Sequence, residues 1–241
     1  MGIFYNNANA GWLKRPLVIY RRSVYFNSMN TSAPQRPRGR PPKVARDYPD
    51  TREALLRAGV ETLTEQGFGA TGLDGLLKKV GVPKGSFYHY FASKDAFGRE
   101  VMQRYARYFA DKLDRSLLDD SRPPLERLAA FVESAKAGMA RHAFQRGCLV
   151  GNLGHELNTL PDDYRELLER ILQDWQQRLA RCFEEAQQHG QLANHANPQV
   201  LAEYFWIGWE GAVMRARLVR NLQPLELFFQ NFMAGLPLAP R

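Results

Sequence analysis

Thr71 to Lys94 reads TGLDGLLKKVGVPKGSFYHYFASK, and its punctuation decides the fold. Leu73, Leu76, Leu77 and Val80 recur at helical spacing and define one short helix with an apolar face. Gly81-Val82-Pro83 stops it. Lys84 to Phe91 then makes a second short helix, rich in aromatics with polar tips, and Ser93 opens a third as its cap. Two short helices joined by a glycine-containing turn form the helix-turn-helix layout, in which the second helix enters a DNA major groove.

Working outward, the same helical period holds along the rest of the chain. Asp50 or Thr51 caps a helix that runs to about Gln66, with Leu55, Leu56, Val60 and Leu63 on one face and Gly67 ending it. From Ser93 to about Leu118, Phe97, Val101, Tyr105, Tyr108, Phe109 and Leu113 make a long apolar stripe. Pro124 suits the first position of the next helix. A short apolar helix or near-helix is expected over Cys148 to Leu157, and a long one from Leu160-Pro161-Asp162 to His189-Gly190. Asn197-Pro198 caps a helix to about Arg220, and Pro224 begins the last. No segment keeps strand alternation. The chain reads as all-α, with about nine helices: an N-terminal three-helix helix-turn-helix unit and a C-terminal helical domain. Residues 1–49 form a basic arm, 50–92 the DNA-binding domain and 93–241 a ligand-binding and dimerisation domain.

The net charge of the 241 residues is +8, and residues 1–50 account for +7 of it through nine Lys/Arg against Asp47 and Asp50. A cationic arm on a nearly neutral body suits a polyanionic partner. Within the arm, Pro37-Arg38-Gly39-Arg40-Pro41 resembles an AT-hook core, with Arg38 and Arg40 placed to run along a narrow A/T-rich minor groove. Residues 1–28 carry no clear period, and Met29 begins an ordinary protein start, so 1–28 reads as an upstream extension. Two cysteines are too few for a disulfide framework, which favours a reducing, cytoplasmic compartment where the protein sits on the nucleoid. No apolar run reaches the ~18 residues of a membrane span. No targeting signal, metal site or cofactor motif is read.

Thr71-Gly72-Leu73, the run Gly81 to Phe91, and Ser93-Lys94 resemble the signature of TetR-family transcriptional repressors. The resemblance covers residues 50–236 and implies a homodimer that binds a pseudo-palindromic operator and is released by a small molecule. It implies DNA contacts from Thr71, Lys84, Gly85, Ser86, Tyr88, His89, Tyr90 and Lys94, beside Arg38 and Arg40 of the arm. Within the family, Gly138 to His142, Arg146 to Gly154 and Phe205 to Ala212 are similar to the acrylate-responsive branch. The Gly147-Cys148-Leu149 step is shared more loosely with electrophile-sensing repressors.

Acrylate, or a related small carboxylate or electrophile, is therefore the expected inducer. Candidate pocket residues are Cys148, Asn152, His155, Trp175, Trp206, Trp209, Glu210 and Arg215: a nucleophile, hydrogen-bonding groups, apolar walls and a cation. Arg146 and His155 are placed to favour the Cys148 thiolate, the reactive form. Reversible binding is preferred over addition to Cys148, because the acrylate anion is a poor electrophile. Cys182 lies in an apolar stripe and reads as core. The last two helices, 198–220 and 224–236, are expected to build a four-helix dimer interface. The other classes in play are an all-helical enzyme using His142, Cys148, His155 and Glu156, and a constitutive architectural DNA binder acting through the arm. The first lacks a His-Glu-x-x-His run, a nucleophile elbow and a phosphate-binding Gly loop, and no enzymatic activity is expected.

Overall fold

The computed structural model describes residues 48–240; the arm, with Arg38, Arg40 and the expected extension 1–28, lies outside the described residues. Nine α-helices follow in order: α1 Tyr48–Gln66, α2 Leu73–Val80, α3 Lys84–Tyr90, α4 Lys94–Leu117, α5 Pro124–Arg141, α6 Leu149–Gly154, α7 Asp162–Gln188, α8 Pro198–Val219 and α9 Gln223–Ala234. The described residues hold no strand, only an isolated antiparallel bridge between Leu192 and Leu238. No described helix is long and apolar enough to cross a membrane.

The local signals act as their chemistry demands. Gly81 takes the left-handed conformation (φ 70°) that ends α2, and the Val82 N–H reaches back to the Leu77 carbonyl at 2.9 Å. Ser93 caps α4 by accepting from the Ala96 N–H at 3.0 Å. Asn197 accepts from both the Gln199 and Val200 amides at the start of α8. One expectation fails: neither Asp50 nor Thr51 is a cap. The helix already begins at Tyr48, and Thr51 is buried within it.

The helix-turn-helix is held by an aromatic knot. Phe87 of α3 is fully buried against Phe91 and Phe97, with ring centroids 4.9–5.5 Å apart. Phe97 belongs to α4, so the long helix that leaves the DNA-reading unit also seals it. A second aromatic cluster fills the middle of the molecule, where Phe109, Phe131, Trp175, Trp206 and Trp209 interlock. The Trp175 and Trp206 indole nitrogens are buried with no hydrogen-bond partner among the described residues. That costs about 1–3 kcal/mol each, which the packing of two large rings offsets. Arg127 is buried at the α4–α5 turn, where it donates to the Leu117 and Arg122 carbonyls and pairs with Glu185 at 2.6 Å, tying the turn to α7.

Candidate nucleic-acid interface and ligand cavity

α3 presents the surface that the sequence singles out. Its N-terminus has no side-chain cap. Lys84, Gly85, Tyr88 and His89 are exposed, and Ser86 and Tyr90 are half-buried. Open backbone N–H groups at such an end suit a phosphate. A Cβ at Gly85 would meet nothing within 4 Å, so no neighbour in the chain demands a glycine there. Lys84 pairs with Asp74 at 3.1 Å on the surface, a contact of small energetic value that leans α2 on α3.

Two expected contacts turn inward. Thr71 is buried, and its hydroxyl donates to the Gly67 carbonyl at 2.5 Å, which leaves no O–H for a phosphate. Lys94 is half-buried, with Nζ 2.9 Å from the Phe68 carbonyl and 4.4 Å from the centre of the Phe68 ring. Both residues shape the α1–α2 turn.

Behind this surface lies a cavity of about 810 Å³. Its walls come from α1 (Arg57, Val60, Glu61, Thr64), from Arg104 to Ser116 of α4, from α5, from the 142–148 turn and from α8. Ala143 and Phe144 in that turn have φ of 48° and 58°, a left-handed pair that swings the chain from α5 toward Cys148. Sequence reading confined the pocket to the C-terminal half. The structure adds α1, the first helix of the DNA-reading unit, because α1 packs along α4.

Of the expected pocket residues, Cys148, Trp209 and Glu210 line the cavity. The others do not. Trp175 and Trp206 are core behind it. His155 and Arg215 are exposed, on faces that the helical phase carries away from the cavity. Asn152 is a brace, donating to the Thr64 carbonyl at 2.9 Å and accepting from Arg217 at 3.1 Å. Arg217 also reaches the Glu65 carbonyl, so α8 and α6 together hold the C-terminal end of α1. Cys182 is core as expected, its thiol 3.2 Å from the Pro124 carbonyl.

Sequence reading missed Tyr105 and Lys112. Both sit on the apolar stripe of α4, where a tyrosine reads as core and a lysine as solvated edge. Tyr105 and Cys148, both buried, join the half-buried Glu210 in a cluster of three acids. Burial, with the nearby Glu210 carboxyl, pushes the Cys148 thiol well above its usual range. Burial likewise lifts Glu210 to about 7, against a hydrogen bond from Cys148 that lowers it. Tyr105 is raised for the same reasons. A Cβ on Gly151 would lie 2.3 Å from Glu210 Oε2, so the glycine makes room for that carboxyl.

The expectation that Arg146 and His155 favour a thiolate therefore fails. His155 is exposed, and Arg146 is bound to Glu65 at 2.9 Å. Cys148 is poised as a thiol. At pH 7 it is expected to react with N-ethylmaleimide at least ten times more slowly than free cysteine, since only the thiolate attacks. Mass spectrometry of timed quenches measures this, and a rate equal to free cysteine would refute it.

The cavity is wired to the DNA-reading unit. α4 carries Phe97 at one end and the cavity wall from Arg104 onward. The Glu156 carboxylate, two residues past α6, accepts from the Phe68 N–H at 3.1 Å and from the Gly69 N–H at 2.7 Å. The Tyr164 hydroxyl donates to the Asp95 carbonyl at 2.6 Å. Glu156→Ala is expected to cost about 1–2 kcal/mol and to speed amide exchange at Phe68 and Gly69. Unchanged exchange at those two amides, read by NMR, would show that the clamp does not hold the turn.

α8 and α9 leave an apolar face uncovered. Val200, Tyr204, Ile207, Met214 and Leu218 recur at three-, four- and seven-residue steps along α8, and all are exposed, as is Leu227 of α9. A continuous stripe of this kind marks an interface.

A helix-turn-helix on a helical body with a half-open cavity is the layout of a DNA-binding regulator, and sequence comparison names its family. Residues 55–101 match the family of bacterial regulatory proteins, tetR family, and residues 124–232 match the tetracyclin repressor-like C-terminal domain. The chain belongs to the TetR family of transcriptional regulators. It is 50% identical to the transcriptional regulator AcuR of Cereibacter sphaeroides over 83% of this chain and 92% of that protein. It is 32% identical to the HTH-type transcriptional repressor NemR of Escherichia coli K12 over 73% of this chain and 89% of that one. Among solved structures, a regulatory protein TetR from Rhodobacter sphaeroides superposes with a TM-score of 0.76 at 50% identity, covering 77% of this chain and 98% of that one. TetR-family regulators bind operator DNA and act as dimers.

Proposed function

We propose that this protein is a ligand-controlled repressor: a homodimer whose two α3 helices read the half-sites of a pseudo-palindromic operator, and which a small carboxylate releases. One observation carries the reading. The cavity is walled by α1, which packs on α2 and α4, and by α4, whose Phe97 packs on Phe87 of α3, so a ligand inside it bears on the DNA-reading unit. Lys84, Gly85, Ser86, Tyr88 and His89 are the contacts proposed for the major groove, with Arg38 and Arg40 in the minor groove. The 200–218 stripe of α8, with α9, is the proposed dimer face. Both described cysteines are thiols, which fits a cytoplasmic setting.

Acrylate is the first candidate inducer, from the likeness to AcuR and from the cationic lining of the cavity. Reversible binding is favoured over capture by Cys148, because the thiol is held protonated. The enzyme reading loses support: His155 is exposed and Glu156 is engaged by the Phe68 and Gly69 amides, so the four residues it would need are not gathered.

A fluorescence-anisotropy titration of operator-bound protein tests the reading. Acrylate is expected to release the DNA from both wild type and Cys148→Ser. Release by N-ethylmaleimide alone, lost in Cys148→Ser, would replace reversible binding with cysteine sensing. No release by acrylate, dimethylsulfoniopropionate or N-ethylmaleimide would remove this inducer class.

A further inference from the structure

The cavity is unevenly charged. Seven Lys/Arg line it against Glu61, Asp111 and Glu210. Several of the cations are already answered. Arg104 is bound to Glu53 at 2.5 and 2.7 Å, and Arg146 to Glu65 and Glu61. Lys112 is not. Among the described residues no carboxylate lies within 4 Å of its Nζ, and its one hydrogen bond is a long one, 3.5 Å, to the Ser134 carbonyl.

Around that ammonium stand Arg115 from its own helix, Arg141 from α5 and, 5.9 Å away, the Phe131 ring. Burial first, then repulsion from Arg115 and Arg141, holds it below the usual lysine range. Arg115 and Arg141 are exposed, and a half-buried cation beside them is relieved by an anion. Gly138 of α5 leaves space there: a Cβ on it would stand 3.9 Å from Nζ.

We propose that Lys112, backed by Arg115 and Arg141, is the anion-binding group of this cavity and seats the acidic head of an amphipathic ligand whose apolar part runs along Phe109, Met139 and Trp209. This deepens the ligand-controlled reading and rests on it for its regulatory meaning. Lys112 follows Phe109 by three residues and Tyr105 by seven, so all three share one face of α4. Phe109, Met139 and Trp209 line the same cavity. The Glu210–Cys148–Tyr105 cluster offers no cation, so the ligand's charge belongs at Lys112 and a neutral part at the cluster. A cavity of about 810 Å³ is in the range that suits drug-sized ligands, with room for several carbons beyond a three-carbon acid.

Calorimetry on the whole protein with acrylate, octanoate, octanamide and inorganic phosphate tests the assignment in wild type, Lys112→Gln, Lys112→Arg and Gly138→Leu. Octanoate is expected to bind wild type more tightly than acrylate, by about fourfold for each further CH₂ that becomes buried. Lys112→Gln should weaken it at least tenfold, the scale of one charge-assisted hydrogen bond. Lys112→Arg should keep most of the affinity, Gly138→Leu should lose it by filling the space, and octanamide should be indifferent to Lys112→Gln. Phosphate that displaces octanoate and binds more tightly would assign the head group as phosphate on the same site. Unchanged octanoate affinity in Lys112→Gln, or no binding of octanoate, acrylate or phosphate to wild type, would overturn the proposal. Binding that depends on Lys112 but leaves operator affinity unchanged would keep the site and sink the ligand-controlled reading instead.

Discussion

Ile207→Glu combined with Leu218→Glu is expected to turn the protein into a monomer and to cut operator affinity at least a hundredfold. Both side chains are 68% exposed in the protomer and stand on the continuous face of α8. In an isologous contact each substitution enters twice, so four carboxylates would meet in one apolar seam. A monomer binds one half-site and loses the avidity of the second, which is typically worth a factor of 10² or more. Neither residue belongs to the protomer core, so helix content should survive. Sedimentation velocity with operator anisotropy reads the result. A variant still dimeric at micromolar concentration would place the interface elsewhere.

Glu210→Gln is expected to stabilise the protein above neutral pH and not in acid. Folded Glu210 keeps its proton up to about pH 7, whereas the unfolded chain releases it near the ordinary 4.5. Between those values the folded state binds more protons, so wild-type stability falls as pH rises from 4.5 to 7 and stays at the lower level above that. Glutamine carries no charge to bury. Full burial would give about 3 kcal/mol for a shift of this size. The edge of the carboxyl that faces the cavity retains some hydration, so about 2 kcal/mol is expected at pH 8. That corresponds to a rise in Tm of roughly 4–8 °C for a chain of this size. Melting curves at pH 4.5 and pH 8 measure it, and parallel wild-type and variant profiles across that range would show that Glu210 is already ionised in the fold.

The DNA-reading unit was legible because its helix starts and stops are local. Gly81 stops α2, Ser93 caps α4, and Phe87 of α3 and Phe91 just past its end fall four residues apart, all within one 24-residue stretch. The order of the nine helices was legible for the same reason, since each start and stop is written within a few residues of itself. The start of α1 was misplaced because Asp50 and Thr51 are good capping residues by type, whereas the helix already begins at Tyr48. Thr71 was misread because its hydroxyl finds the Gly67 carbonyl only once the turn has closed.

The cavity was legible only as a list. Cys148, Trp209 and Glu210 line the cavity, whereas Trp175, Trp206, His155 and Arg215 have the same chemistry and point elsewhere. Side-chain type says what a residue can do, while helical phase and the packing of α7 and α8 decide where it does it. Lys112 and Tyr105 were passed over because their partners, Arg141 and Ser134 in one case and Cys148 and Glu210 in the other, lie from 22 to more than 100 residues away.

The sequence by itself determined the helices, the reading head at Thr71–Lys94 and the family, because hydrogen bonds within four residues and caps at helix ends carry that information. Only the tertiary structure decided that α1 walls the cavity, that burial raises the Cys148 thiol and that Lys112 meets no carboxylate among the described residues. Each of those depends on the local dielectric and on charges brought together from distant helices, and these exist only once the chain has packed.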